Sequence, residues 1–265
     1  MHRITSYKFI NNNKNKTILF LHGWGCNYTY FKNIVSQIDN ANCLLIDLLN
    51  FGKNEIIRKP LTFNDYIESI VAFLKEKQIK IDIIVGHSFG GKLAIYLTKY
   101  IDVLSLILFA PSIYNKRRGL KYYSKILFYK IIKRIKMFKK NLNKFGSNDY
   151  KYLSGFMKKT MSNIINFNVD EQVKKYNNPM ILVFGINDKI TPIYLAKKIK
   201  RRAKDAYLFK IDGDHFAFLN NNLFSLNVIK AMVEKIWLLF ILLLFYYSII
   251  IFIQQQIFCK ISIMI

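Results

Sequence analysis

Between an apolar run, residues 81–85, and a helix-like segment, residues 92–100, stands Gly86-His87-Ser88-Phe89-Gly90-Gly91. A serine on a sharp strand-to-helix turn leaves no room for side chains two residues before and after it. Gly86 and Gly90 meet that need, and Gly91 lets the following helix lie close to the strand. A glycine-rich turn with an incidental serine is the plainer reading, because Gly-x-Ser-x-Gly also arises by chance. Either way the stretch demands a strand feeding directly into a helix, which points to an α/β chain.

The flanking segments continue that rhythm. Residues 7–10 and 17–21 read as strands joined by an Asn-rich turn, and a hairpin fits best. His22-Gly23-Trp24-Gly25-Cys26-Asn27 follows, then an expected helix over 30–38 and a buried-type strand over 43–46. Thr62 and Asp65 have capping-box spacing ahead of Tyr66, Ile67, Ile70, Val71 and Leu74, which recur at helical period. Further strands are expected over 104–109, 180–184 and 207–211, with helices over 192–202 and 223–235. The alternation predicts a mostly parallel sheet covered by helices on both faces.

The rhythm breaks between Ser112 and Lys175. Residues 116–144 hold twelve Lys or Arg and no acid, with Leu120, Tyr123, Leu127, Ile131, Ile135 and Phe138 three or four apart. The predicted organisation is a core over 1–111, a helical cap insertion over 112–175, a second core part over 176–235, and an apolar tail over 236–265.

With 265 residues, one sizeable domain accounts for the core. The net charge of +25 would suit a nucleic acid or an anionic membrane. However, no aromatic-basic RNA motif, zinc-finger spacing or basic zipper accompanies it, so nucleic acid is excluded as a partner. A/T-rich coding explains the abundance of Lys, Asn, Ile, Tyr and Phe equally well. Cys26, Cys43 and Cys259 are too few and scattered for a disulfide framework or a cysteine metal site, and read as free thiols in a reducing compartment. The N-terminal residues show no long apolar core, so no secretory signal is expected.

A serine hydroxyl needs a base, an acid that orients the base, and donors for an oxyanion before it can act as a nucleophile. His215, in Asp212-Gly213-Asp214-His215-Phe216, follows the last expected strand, and Asp188, in the loop from Gly185 to Pro192, follows the one before. Both fall at C-terminal strand ends, on the same edge as Ser88. In this order, Ser88, Asp188 and His215 resemble the triad of the α/β-hydrolases, the Gly-x-x-Asp-x-x-x-Pro stretch being similar to that family's acid loop. The resemblance covers residues 4–236 and is nearest to small bacterial hydrolases that begin with His-Gly-Trp-Gly, a group containing carboxylesterases and hydrolases of carbon-carbon bonds.

That resemblance implies that the backbone N–H groups of Trp24 and Phe89 form the oxyanion hole, with Gly23 and Gly25 keeping their loop open to substrate. It makes His22 a structural part of that loop. His87 is expected to point away from the site, and so are Asp212 and Asp214. Asp188 also suits a helix N-cap near Pro192. Three departures from the pattern stand out. Leu49-Asn50 replaces Pro-Gly in the loop after Asp47, with Asn54 in the region of a serine. Asn50 tolerates the left-handed backbone the turn needs. Asp214 replaces a glycine, and Ser88 replaces the Asp required for dehalogenase or epoxide hydrolase chemistry.

The cap's Tyr, Phe, Ile and Met content predicts an apolar pocket for a small to medium acyl ester. Its basic face suits either plain solvation or an anionic membrane surface. Residues 236–253 form an uncharged run of 18, roughly 27 Å as a helix and near the hydrocarbon thickness. A C-terminal anchor with a cytoplasmic catalytic domain is one reading, Lys230 and Lys235 staying inside. A read-through terminus and an extension packed on the domain are the others. The resulting expectation is a serine hydrolase of carboxylic esters or thioesters, needing no metal or organic cofactor. Carbon-carbon hydrolysis of a vinylogous diketone and a non-catalytic membrane-attached binding protein are the alternatives. The sequence leaves the oligomeric state open.

Overall fold

A computed structural model describes residues 2–116 and 153–234. Its centre is a seven-stranded sheet formed by β1 (Tyr7–Ile10), β2 (Thr17–Leu21), β3 (Asn42–Ile46), β4 (Ile83–His87), β5 (Ser105–Phe109), β6 (Met180–Gly185) and β7 (Ala206–Ile211). The order across the sheet is β1-β3-β2-β4-β5-β6-β7. Only β1 runs antiparallel.

Alternation along each strand divides the core in two. On one face Leu19, Leu21, Ile84, Leu106 and Leu182 meet α2 (Phe63–Glu76), α3 (Phe89–Leu97) and α6 (Ile193–Arg202). On the other, Ile18, Phe20, Val85, Ile107 and Val183 meet α1 (Lys32–Val35), α7 (Ala217–Asn220) and α8 (Asn222–Glu234). Strands buried on both faces read as unbroken apolar runs, and β2 to β6 do so.

The expected hairpin is not formed, because β3 lies between β1 and β2. The Asn-rich turn is instead a bridge over the start of β3. Asn42 Oδ1 accepts from the amides of Asn12 and Lys14, and Asn12 Nδ2 donates to the carbonyls of Ile38 and Ala41. The expected helix over 30–38 shrinks to a 3₁₀ turn, Tyr28–Phe31, and the four residues of α1. Its β-branched and short polar residues are weak helix formers. The capping box at α2 is present, with Thr62 N donating to Asp65 Oδ2 at 2.6 Å and Asp65 N to Thr62 Oγ1 at 3.2 Å.

Residues 110–179 connect the neighbouring strands β5 and β6. Within them lie α4 (Gly155–Asn166) and α5 (Asp170–Lys175). Leu61 holds α4 through its amide, which donates to Thr160 Oγ1, and its carbonyl, which accepts from Asn163 Nδ2. Phe167 stacks on Phe63, with centroids 4.2 Å apart. Lys92, on α3, is 2 % exposed and donates to the carbonyl of Ile164 at the end of α4, at 2.8 Å.

The basic stretch at 116–144, read from its spacing as amphipathic helices, lies outside the described residues but for Lys116, as does the apolar run at 236–253. Among the described residues no helix is long and apolar enough to cross a membrane.

Candidate active site

Ser88 joins β4 to α3 with φ 50° and ψ −111°, a conformation that costs a non-glycine residue free energy and that surrounding contacts must hold. The Ser88 amide donates to Phe109 O on β5, and its carbonyl accepts from Lys92 N and Ser112 N. The flanking glycines are demanded by contact. A Cβ on Gly90 would lie 2.1 Å from Leu21 O, one on Gly86 2.7 Å from Gly91 Cα, and one on Gly91 2.7 Å from Pro111 Cβ.

His215 comes from the loop after β7 and Asp188 from the loop after β6, so both reach the site from C-terminal strand ends, as expected. Ser88 Oγ donates to His215 Nε2 at 2.9 Å, and His215 Nδ1 donates to Asp188 Oδ2 at 2.8 Å. The Asp188 side chain is fully buried and its four acceptor positions are filled. Oδ1 takes the amides of Ile190 and Thr191, while Oδ2 takes His215 and the Thr191 hydroxyl at 2.7 Å. Burial pushes the Asp188 carboxyl up, but the His215 and Thr191 donors outweigh it and hold it below the usual range. The carboxylate therefore stays ionised beside the imidazole.

The loop carrying Trp24 lies against the nucleophile, since a Cβ on Gly23 would fall 3.3 Å from Ser88 Cβ. The Gly23 carbonyl accepts from His22 Nδ1 at 2.8 Å and from Cys26 N at 3.1 Å. In a trans peptide this turns the Trp24 N–H to the opposite side. Phe89, the first residue of α3, has no acceptor within its own helix. Gly25 takes φ +75°, and a Cβ built on it would meet nothing within 4 Å.

His22 Nε2 accepts from Leu48 N, and burial pushes the ring down to about 4, which makes it a neutral strut and not a base. The loop after Asp47 survives its departures, with Asn50 at φ 64° and Gly52 at φ 61°. Buried Asp47 accepts from Tyr28 N, Lys53 N and Ser6 Oγ. Asn54 joins the same cluster, bonding the amides of Thr5 and Ser6 and the carbonyls of Asp47 and Leu48. Asp214 takes the Phe216 amide.

No catalytic motif marks Thr191, although a hydroxyl three residues after a loop aspartate is a signal for such a bond. His87 does not leave the site as expected. Its ring sits beneath His215, with centroids 4.9 Å apart. Among the described residues no group of three or more His, Cys, Asp or Glu side chains is placed to hold a metal ion.

The strand order, the serine on a strained strand-to-helix turn, and a histidine and aspartate supplied by the last two strand ends define a hydrolase of the α/β class. The chain belongs to the alpha/beta hydrolase family, whose model matches residues 18–153. A Mycoplasma genitalium protein named "Putative esterase/lipase 2" is 27 % identical over 76 % of this chain and 82 % of its own length. A pimeloyl-[acyl-carrier protein] methyl ester esterase of Wigglesworthia glossinidia brevipalpis is 24 % identical over 82 % and 93 % respectively. Among solved structures, an esterase from Exiguobacterium antarcticum superposes with a TM-score of 0.68 at 13 % identity, covering 88 % of this chain and 98 % of that one.

Proposed function

We propose that the chain is a serine hydrolase that cleaves a carboxylic ester or thioester through an acyl-enzyme. The observation that carries this reading is the unbroken relay from Ser88 Oγ through His215 to Asp188, at 2.9 and 2.8 Å. The relatives named as esterases support the ester bond as its target.

Ser88 Oγ attacks the acyl carbon while its proton passes to His215 Nε2. The ionised Asp188 steadies the imidazolium at Nδ1. Negative charge on the carbonyl oxygen falls to the N–H groups of Trp24 and Phe89. Collapse of the tetrahedral species expels the alcohol or thiol, which takes the proton back from His215. Water then attacks the acyl-enzyme with His215 again as base, and the carboxylic acid leaves with Ser88 restored. The same reading takes the insertion over 112–175, of which residues 117–152 lie outside the described ones, as a lid whose apolar side chains would receive a small to medium acyl chain.

Fluorophosphonate labelling of the wild type, Ser88→Ala and His215→Ala, followed by a panel of p-nitrophenyl esters, tests the proposal. Labelling absent in Ser88→Ala and sharply reduced in His215→Ala, with turnover that varies with chain length, is expected. Folded wild type that neither labels nor turns over would point instead to a binding protein. Faster cleavage of a vinylogous diketone than of any ester would move the reading to carbon-carbon hydrolysis. Carbonate extraction of membranes from cells making the full chain tests the anchor read from residues 236–253.

A further inference from the structure

His87, the last residue of β4, takes no part in the relay. Its ring is 2 % exposed, and a polar ring so buried must find partners. Nε2 lies 3.1 Å from the backbone carbonyl oxygen of His215, and because a carbonyl only accepts, Nε2 carries the proton. The rings of Phe216 and Phe218 flank it with centroids 5.0 and 4.8 Å away. At its other edge, a Cβ built on Gly23 would fall 2.8 Å from Nδ1. A single ring thus touches the loop after β2 and the loop after β7, which lie on opposite sides of β4 in the strand order.

We infer that His87 is a positioning residue: its Nε2–H holds the backbone of His215 and so keeps that imidazole within reach of Ser88. The inference rests on the acyl-enzyme reading above. The preceding part of the loop is held separately, since the carbonyls of Gly213 and Asp214 accept from the amides of Asn187 and Ala217. The bond from His87 extends that support to His215 itself. Displacement of His215 by about an ångström would break the contact with Ser88 that proton transfer needs.

The role also calls for an uncharged ring, because a cation beneath His215 would oppose its conversion to imidazolium. Burial, reinforced by His215, pushes His87 down to about 3. The other titratable groups that act on it are Asp188 and His22, the latter also neutral.

Two substitutions separate positioning from packing. His87→Gln keeps an N–H as many bonds from Cα as Nε2, whereas His87→Met fills similar space with no donor. In p-nitrophenyl ester assays His87→Met is expected to lose kcat by about 30-fold with KM within about twofold. His87→Gln is expected to stay within about threefold of wild type at a similar Tm. Equal activity in the two variants, or a loss confined to KM, overturns the inference while an active wild type leaves the acyl-enzyme reading standing. An inert wild type overturns both. Nitrogen-15 histidine NMR of the wild type gives a check that does not depend on the variants folding. Protonation of His87 at Nε2 alone between about pH 5 and pH 9 is expected, and protonation at Nδ1 overturns the inference.

Discussion

Lys92 offers a quantitative test of how the segment between β5 and β6 is fastened to the core. Its ammonium is buried against the carbonyls of Ile164 and Ile165 and lies 5.8 Å from the centre of the Phe63 ring. Burial lowers its pKa from 10.5 to about 8. Below pH 8 the lysine is charged both folded and unfolded, and the folded state carries the full penalty, about 3 kcal/mol. Between 8 and 10.5 the unfolded chain binds more protons than the folded one, so stability rises with pH in that window. At about pH 9.5 roughly 2 kcal/mol of the penalty has gone. Cys26 and Cys43, pushed up by burial, act in the opposite direction at alkaline pH. Comparison with Lys92→Met cancels their contribution. Urea unfolding of the two proteins at about pH 7 and about pH 9.5 should show wild type gaining about 2 kcal/mol on the variant. A stability difference that stays flat with pH would refute the picture of a buried, desolvated cation.

Three further outcomes follow from the same geometry. Thr191→Val removes one donor from the buried Asp188 carboxylate and should lower kcat/KM about tenfold and Tm by a few degrees, checked by ester kinetics and calorimetry. His22 and His87 are buried neutral, at about 4 and about 3 against 6.5 unfolded, so their contribution is complete above pH 6.5 and falls away below it. Thermal melts from about pH 7 to about pH 4.5 should show a falling Tm with a shallower slope in His22→Asn, and a flat profile would contradict the buried neutral rings. Gly90→Ala should abolish soluble folded protein because its Cβ meets Leu21 O, while Gly25→Ala, strained but unobstructed, should cost only about 1 kcal/mol by denaturant unfolding.

Short-range physics made much of this molecule legible beforehand. The elbow around Ser88, the capping box of α2 and the apolar strands β2 to β6 each follow from residues a few positions apart. Loop position brought Asp188 and His215 to the edge that carries Ser88, since parallel strands deliver their C-terminal loops to one edge, and the resemblance to the family's acid and histidine loops singled them out.

The remainder depended on partners far along the chain. Period and turn chemistry identify β1 as a strand but not its neighbour, which is decided by the pairing of Tyr7–Ile10 with β3. Lys92 looks like any helix lysine until α4, some seventy positions later, covers it. His87 and Thr191 gain their roles the same way, through hydrogen bonds to a loop end and a carboxylate that only the closed sheet brings within reach. The sequence determined which residues could be strand, turn, nucleophile and base. Tertiary packing decided which of its polar groups would be buried together, because desolvation and hydrogen bonding act on distances in space and not on positions in the chain.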